Sequence, residues 1–147
     1  HDCHIGKNCV LANGVTLAGH IEIEDCAILG GLTAVHQFVK IGAHAFIGGG
    51  SLVRKDVPPF VKAAREPLSY AGINSVGLRR RGFKPDQIKQ IQDIYRILFV
   101  KGFNTSQATQ IIEAEIDPTP ERDYILEFLR KADRGIMRGF QQLNGRR

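Results

Sequence analysis

The chain has no tryptophan, one methionine and three cysteines in 147 residues. An odd number of thiols fits a reducing compartment better than a disulfide framework. No run of 18 apolar residues occurs, which excludes a membrane-spanning helix, and no signal-peptide pattern is visible. The basic residues are not interleaved with aromatics, and helix-turn-helix, RNP and zinc-knuckle patterns are missing. A net charge of +5 therefore points away from nucleic acid and toward phosphate groups or an acidic protein.

What the chain does have is a period. Ile5, Leu11, Leu17, Ile23, Leu29, Val35, Ile41, Ile47 and Val53 place an aliphatic residue at every sixth position, nine times without a miss. The following position is mostly small or polar (Gly6, Ala12, Ala18, Gly30, Gly42, Gly48). The position two before is small or β-branched (Cys9, Val15, Ala27, Thr33, Val39, Ala45, Ser51). A hexapeptide unit of this kind is a parallel β-helix signature. Each unit supplies a short strand and a corner, and three units close one triangular coil, so that each residue lies beneath the residue 18 positions later. A single coil cannot bury its own inward face; the stack is the stable unit. Cys3 and Cys9 fall one hexapeptide apart on the small inward position and read as packing residues. His1 opens in mid-repeat, so the sequence reads as the C-terminal part of a longer chain.

Coil arithmetic also places the histidines. Adding 18 to His1 gives Gly19, beside His20, and adding 36 gives Gln37, beside His36. These three imidazoles should line one edge, where groups titrating near neutrality suit proton transfer; the alternative is three polar corners facing water. His44 falls with Cys26 and Asn8 on another edge, and it and His4 read as ordinary.

Beyond Val53 the register decays into Asp56-Val57-Pro58-Pro59, whose prolines lack the donors a further coil needs, so the β-helix is expected to end near residue 65. Residues 66–147 form the second unit. Glu66 to Phe83 reads as a linker or short helix carrying Arg79-Arg80-Arg81, either a solvated helix end or a cradle for phosphate oxygens. Pro85 then opens a helix with the stripe Ile88, Ile91, Ile94, Tyr95, Leu98 and Phe99, ended by Gly102. Thr105 is the expected cap of a second helix. Thr119-Pro120 starts a third, carrying Tyr124, Ile125, Phe128, Leu129, Ala132 and Ile136. Residues 141–147 are expected to fray.

His1-Asp2-Cys3, Leu17-Ala18-Gly19-His20, Gly30-Gly31-Leu32-Thr33-Ala34-Val35-His36-Gln37-Phe38, Asp56-Val57-Pro58-Pro59 and Gly77-Leu78-Arg79-Arg80-Arg81-Gly82-Phe83 together resemble the UDP-N-acetylglucosamine O-acyltransferases of lipid A biosynthesis. The resemblance implies a left-handed parallel β-helix followed by a small helical C-terminal domain. It also implies a cytoplasmic homotrimer with active sites between subunits. The implied reaction moves a 3-hydroxyacyl chain from acidic acyl carrier protein to the glucosamine 3-hydroxyl of UDP-N-acetylglucosamine, without cofactor, metal or covalent intermediate. On the same resemblance His1 is the general base, Asp2 orients it, and the Gly19 backbone N–H stabilises the oxyanion. His20, His36 and Gln37 line the nucleotide-sugar site, Asn74, Arg80 and Arg81 hold the UDP portion, and Gly49 ends the groove that measures the acyl chain. Other readings are the N-acyltransferase of the same pathway, a zinc β-helix enzyme of carbonic anhydrase type, and a non-catalytic structural β-helix.

Overall fold

The computed structural model describes residues 1–139, and the fraying expected of residues 141–147 lies outside them. Strands of two residues recur along the coil and pair in parallel with partners 18 positions on, His4 with Glu22, Val10 with Ile28 and Thr16 with Ala34. Three faces result. One is β1 (His4–Ile5), β4 (Glu22–Ile23) and β7 (Lys40–Ile41), and a second is β3 (Thr16–Leu17), β6 (Ala34–Val35) and β9 (Leu52–Val53). The third starts with β2 (Val10–Leu11), β5 (Ile28–Leu29) and β8 (Phe46–Ile47) and continues into β10 (Val61–Ala64) and β11 (Ser69–Ile73).

The hexapeptide aliphatics fill the prism: Ile23, Leu29, Val35, Ile41, Ile47 and Val53 are all buried. The small positions turn inward as well, with Ala27, Thr33, Val39 and Ala45 buried between them. Cys3 and Cys9 pack half-buried against this core, and all three cysteines are free. Between strands the chain passes through a left-handed residue at every sixth position from 2 to 50. Only Gly14 and Gly50 among these are glycines; Asp2, Asn8, His20, Cys26, Leu32, Phe38 and His44 hold φ between 51° and 70°. A left-handed L residue costs about 1–2 kcal/mol. From His20 onward the stack offsets that cost with an N–H bond from each corner to the coil before, such as His20 to the His1 carbonyl at 3.0 Å and Phe38 to the Gly19 carbonyl at 3.1 Å.

After Val53 the register shortens. Ile41 now pairs with Val57 and Phe46 with Lys62, 16 positions on rather than 18. Part of the expected linker is a strand, since β11 pairs antiparallel with β10 and buries Tyr70 and Ile73. Gly72 is a left-handed position in that strand, and Asn74 caps α1 (Ser75–Arg80). Next come α2 (Pro85–Tyr95), a π-helical turn Arg96–Val100, α3 (Thr105–Glu115) and α4 (Pro120–Arg130). Asn104, not Thr105, caps α3: its side chain accepts from Gln107 N–H at 2.8 Å while the Gln107 side chain accepts from Asn104 N–H. Ala132 and Ile136 lie past the end of α4, and Ile136 instead bridges to Asp56 on the coil.

Two tyrosines fix the helices to the prism. Tyr95 is fully buried and donates to the Pro59 carbonyl at 2.6 Å, and burial holds its hydroxyl pKa well above the usual phenol range. Tyr124 accepts from Ala43 N–H at 2.8 Å and donates to Glu24.

Candidate active site

His1, Gly19 and Gln37 each stand one residue before a left-handed corner, and stacking brings these corners into line. His1 Nδ1 lies 2.8 Å from Asp2 Oδ2, and His20 Nε2 lies 3.8 Å from the same oxygen. The two imidazoles meet edge to face with centroids 5.2 Å apart. With the carboxylate accepting from Nδ1–H, His1 Nε2 carries the lone pair. That atom faces the backbone of Gly19, where an added Cβ would come within 3.2 Å of it. Gly19 also takes φ 134°, so two independent constraints exclude a side chain there. The side chains of His1 and Asp2 are 68% and 66% exposed, leaving the pair open to a substrate. One nitrogen of each imidazole and one Asp2 oxygen all lie within 4.8 Å of one another, and among the described residues this is the one cluster of ligand type able to hold a metal ion.

The third ring of the stack is a phenylalanine. Phe38, 18 positions beyond His20, lies flat on it at 5.0 Å and 15°. His36 stands at the same corner, exposed, and among the described residues its ring touches neither His1 nor His20. Gln37 is half-buried, and its carbonyl accepts from Arg134 at 3.3 Å. The Arg134 guanidinium lies over the Phe38 ring, 5.6 Å from its centroid. The same coil arithmetic that found His20 finds Phe38 by one more step. Nothing in the sequence marks Arg134.

Asn74, Arg80 and Arg81 belong to a second corner, that of Asn8, Cys26 and His44. Asn74 is buried, accepts from Gly77 N–H at 3.3 Å as the cap of α1, and donates to the His44 carbonyl at 3.1 Å. Arg79, Arg80 and Arg81 are exposed, and among the described residues no carboxylate pairs with them. The His44 ring stacks on Phe60 at 5.8 Å and meets Phe83 edge-on at 5.1 Å. Burial lowers its pKa below the ordinary 6.5, the Arg81 charge lowers it further, and Asp25 opposes both. The folded protein thus favours neutral His44, so its contribution to stability is present above pH 6.5 and fades as the pH falls through the lowered value. The melting temperature is expected to drop between pH 7.5 and 5.5, and His44→Gln should flatten that dependence; an unchanged slope in the variant would refute the assignment.

Gly49 lies at the third corner, beside Gly50. It is exposed, and a Cβ built there would approach the Gly31 carbonyl oxygen to 3.2 Å. The structure therefore gathers His1, Asp2, Gly19 and His20, with Gln37 adjoining, on one edge, and sets the arginine group and Gly49 on the other two.

These features define a hexapeptide β-helix with an imidazole–carboxylate pair beside a glycine backbone. The family described as Udp N-acetylglucosamine O-acyltransferase, Domain 2, matches residues 56–137. Among related sequences, the acyl-[acyl-carrier-protein]–UDP-N-acetylglucosamine O-acyltransferase of Thiobacillus denitrificans is 44% identical over 94% of this chain and 54% of its own length. The Aliivibrio salmonicida protein of the same name is 45% identical over 94% of this chain and 53% of its own. Among solved structures, the UDP-N-acetylglucosamine acyltransferase of Bacteroides fragilis superposes with a TM-score of 0.92 at 45% identity, over 94% of this chain and 54% of that one. The Francisella novicida enzyme gives 0.89 at 41%, over 94% and 51%. The chain belongs to the UDP-N-acetylglucosamine O-acyltransferase family, and its coil is the left-handed parallel β-helix of that family. It spans about half the length of the relatives it matches.

Proposed function

We propose that this chain carries the acyl-transfer site of an enzyme moving a 3-hydroxyacyl chain from acyl carrier protein to the 3-hydroxyl of UDP-N-acetylglucosamine, in the lipid A pathway. The observation that carries the proposal is the His1–Asp2 pair at 2.8 Å with the Gly19 backbone against the free ring nitrogen. A sugar hydroxyl is too weak an acid to attack a thioester as alkoxide near neutral pH. His1 Nε2 takes its proton during attack, an effect worth about 10²–10⁴ in rate. Negative charge then grows on the thioester oxygen. Gly19 N–H, which has no acceptor among the described residues, is available to stabilise it, and a donor of this kind contributes about 10²–10³. The imidazolium returns the proton to the departing thiolate, so bond making and breaking balance without a metal. His20, His36 and Gln37 line the sugar end of the cleft.

The position of the arginine group supports a site shared between copies. His1 and Arg80–Arg81 stand on different corners of one prism, so a ligand touching both needs the first corner of one chain and the second corner of another. Such head-to-tail contacts close a ring, and three copies around a threefold axis are the proposed assembly. Arg80 and Arg81, unpaired with carboxylates among the described residues, then face the diphosphate. The net charge of +5 suits approach of an acidic acyl carrier protein in the cytoplasm. No described helix is long and apolar enough to cross a membrane.

Gly49 sets acyl length on this proposal. Without a side chain it leaves the groove long, giving a preference for about 14 carbons or more. Mass spectrometry of the acylated nucleotide sugar, formed from carrier proteins bearing different 3-hydroxyacyl chains, tests both points. Gly49→Met is expected to shift the preferred chain to fewer carbons. Its Cβ sits tight but tolerable against Gly31. Unchanged selectivity would remove Gly49 from the groove, and failure to acylate the sugar at any length would remove the function.

A further inference from the structure

A short segment after α4 returns to the coil. Asp56 N–H donates to the Gly135 carbonyl at 3.2 Å and Met137 N–H donates to the Asp56 carbonyl at 3.0 Å. Asp56 is itself buried, and its side chain accepts from Lys40 N–H at 2.9 Å. Lys40 Nζ reaches the Lys131 carbonyl at 3.4 Å. This strap is anchored on both sides of residue 134, and it delivers the Arg134 guanidinium to the edge that carries His1. There Arg134 meets two partners at once, the Gln37 carbonyl at 3.3 Å and the face of Phe38 at 5.6 Å.

Phe38 is 49% exposed and in a left-handed backbone, so packing alone holds its ring weakly. Its flat contact with His20 continues to the edge contact with His1. Four side chains from four places in the sequence thus form one column, Arg134 on Phe38, Phe38 on His20, His20 against His1, with Asp2 facing both imidazoles.

We propose that Arg134 is a positioning residue of the site: by clamping the Phe38 ring from outside it holds His20 flat, and His20 in turn keeps the His1–Asp2 pair in its proton-accepting geometry. The inference rests on the acyl-transfer reading for its kinetic consequence and not for its structural one. An exposed guanidinium over an aromatic ring contributes modestly, equivalent to about a threefold to fivefold change in an equilibrium. Arg134 touches no reacting atom on this reading. It makes the helical unit part of the site on the coil, since the strap enters from the end of α4.

The structural arm uses imidazole Hε1–Cε1 resonances of the chain, which require no turnover. Arg134→Gln should move the His20 and His1 signals and leave His44, stacked on Phe60 and Phe83 at the second corner, in place. Arg134→Lys, which keeps a cation over the ring, should restore most of the shift. Phe38→Leu, which leaves the strap and its Arg134 untouched, should reproduce the His20 shift. The kinetic arm uses the natural protein: Arg134→Gln is expected to lower kcat threefold to fivefold, with KM for the nucleotide sugar unchanged within about twofold. Unmoved His20 signals in a folded Arg134→Gln chain would overturn the proposal. So would a rise in KM at constant kcat, which would make Arg134 a direct ligand contact. If His1→Ala keeps full turnover, the acyl-transfer reading fails while the resonance experiment still decides whether the column exists.

Discussion

Replacing His1 with alanine should reduce kcat/KM for acyl transfer by about 10²–10⁴, the usual range for loss of a general base. The expectation is specific because of what surrounds the ring. Asp2 lies 2.8 Å from Nδ1, the Gly19 backbone lies against the ring, and on the proposed reading its N–H receives the acyl carbonyl oxygen. Stability should barely change, since the side chain is 68% exposed and its loss opens no cavity. Asp2→Asn should give a smaller loss, because the ring remains while the preference for the reactive tautomer weakens. Steady-state rates with a melting curve for each variant measure this. A His1→Ala protein that folds and turns over at the parent rate would place the base elsewhere.

Gly30→Ala should produce a large loss of stability, about 3 kcal/mol or more, at the upper end of what overpacking costs. A Cβ at Gly30 would lie 2.4 Å from Gly49 N and 2.7 Å from Gly49 Cα. Both are backbone atoms of the next coil, which is held by its own ladder, so no rotamer change relieves the clash and the coils must part. The neighbouring Gly49→Ala is the contrast. Its tightest contact is 3.2 Å, to the Gly31 carbonyl oxygen, and a movement of a few tenths of an ångström accommodates it. Denaturant unfolding of the two variants should therefore separate them by a wide margin, and equal midpoints would show that the coils are not packed as closely as described.

The coil was legible because one steric rule repeats. An inward aliphatic and an inward small residue every six positions dictate the faces, and Ile23 to Val53 are buried as that pattern requires. The corners were not legible. Asp2, Asn8, His20, Cys26, Leu32, Phe38 and His44 share a left-handed backbone but no side-chain chemistry, so composition does not mark them. The ring that packs on His20 is therefore Phe38, two residues past His36. Helix starts followed local chemistry closely, with Thr119 accepting from Arg122 N–H at 3.1 Å, whereas Asn104 took the cap expected of Thr105. β11 and the strap from residue 131 to 138 depend on distant partners on the coil, and local sequence carries no trace of them. His1, Asp2, Gly19 and His20 met because their spacing matches one turn of the coil. Asn74, Arg80, Arg81 and Gly49 were placed by resemblance, and within one chain they occupy other edges.

The decisive measurement follows acyl transfer and the mass of the protein in the same time course, using the natural protein, UDP-N-acetylglucosamine and a 3-hydroxytetradecanoyl carrier protein. Cys3, whose thiol donates to the His1 carbonyl at 3.6 Å, is the thiol adjoining His1 and Asp2. Direct attack by the sugar hydroxyl requires the 3-O-acylated nucleotide sugar to accumulate while the protein mass stays constant throughout. An acyl group appearing on the protein before the sugar, or no acylated sugar at all, would contradict His1 acting as a general base on the acceptor.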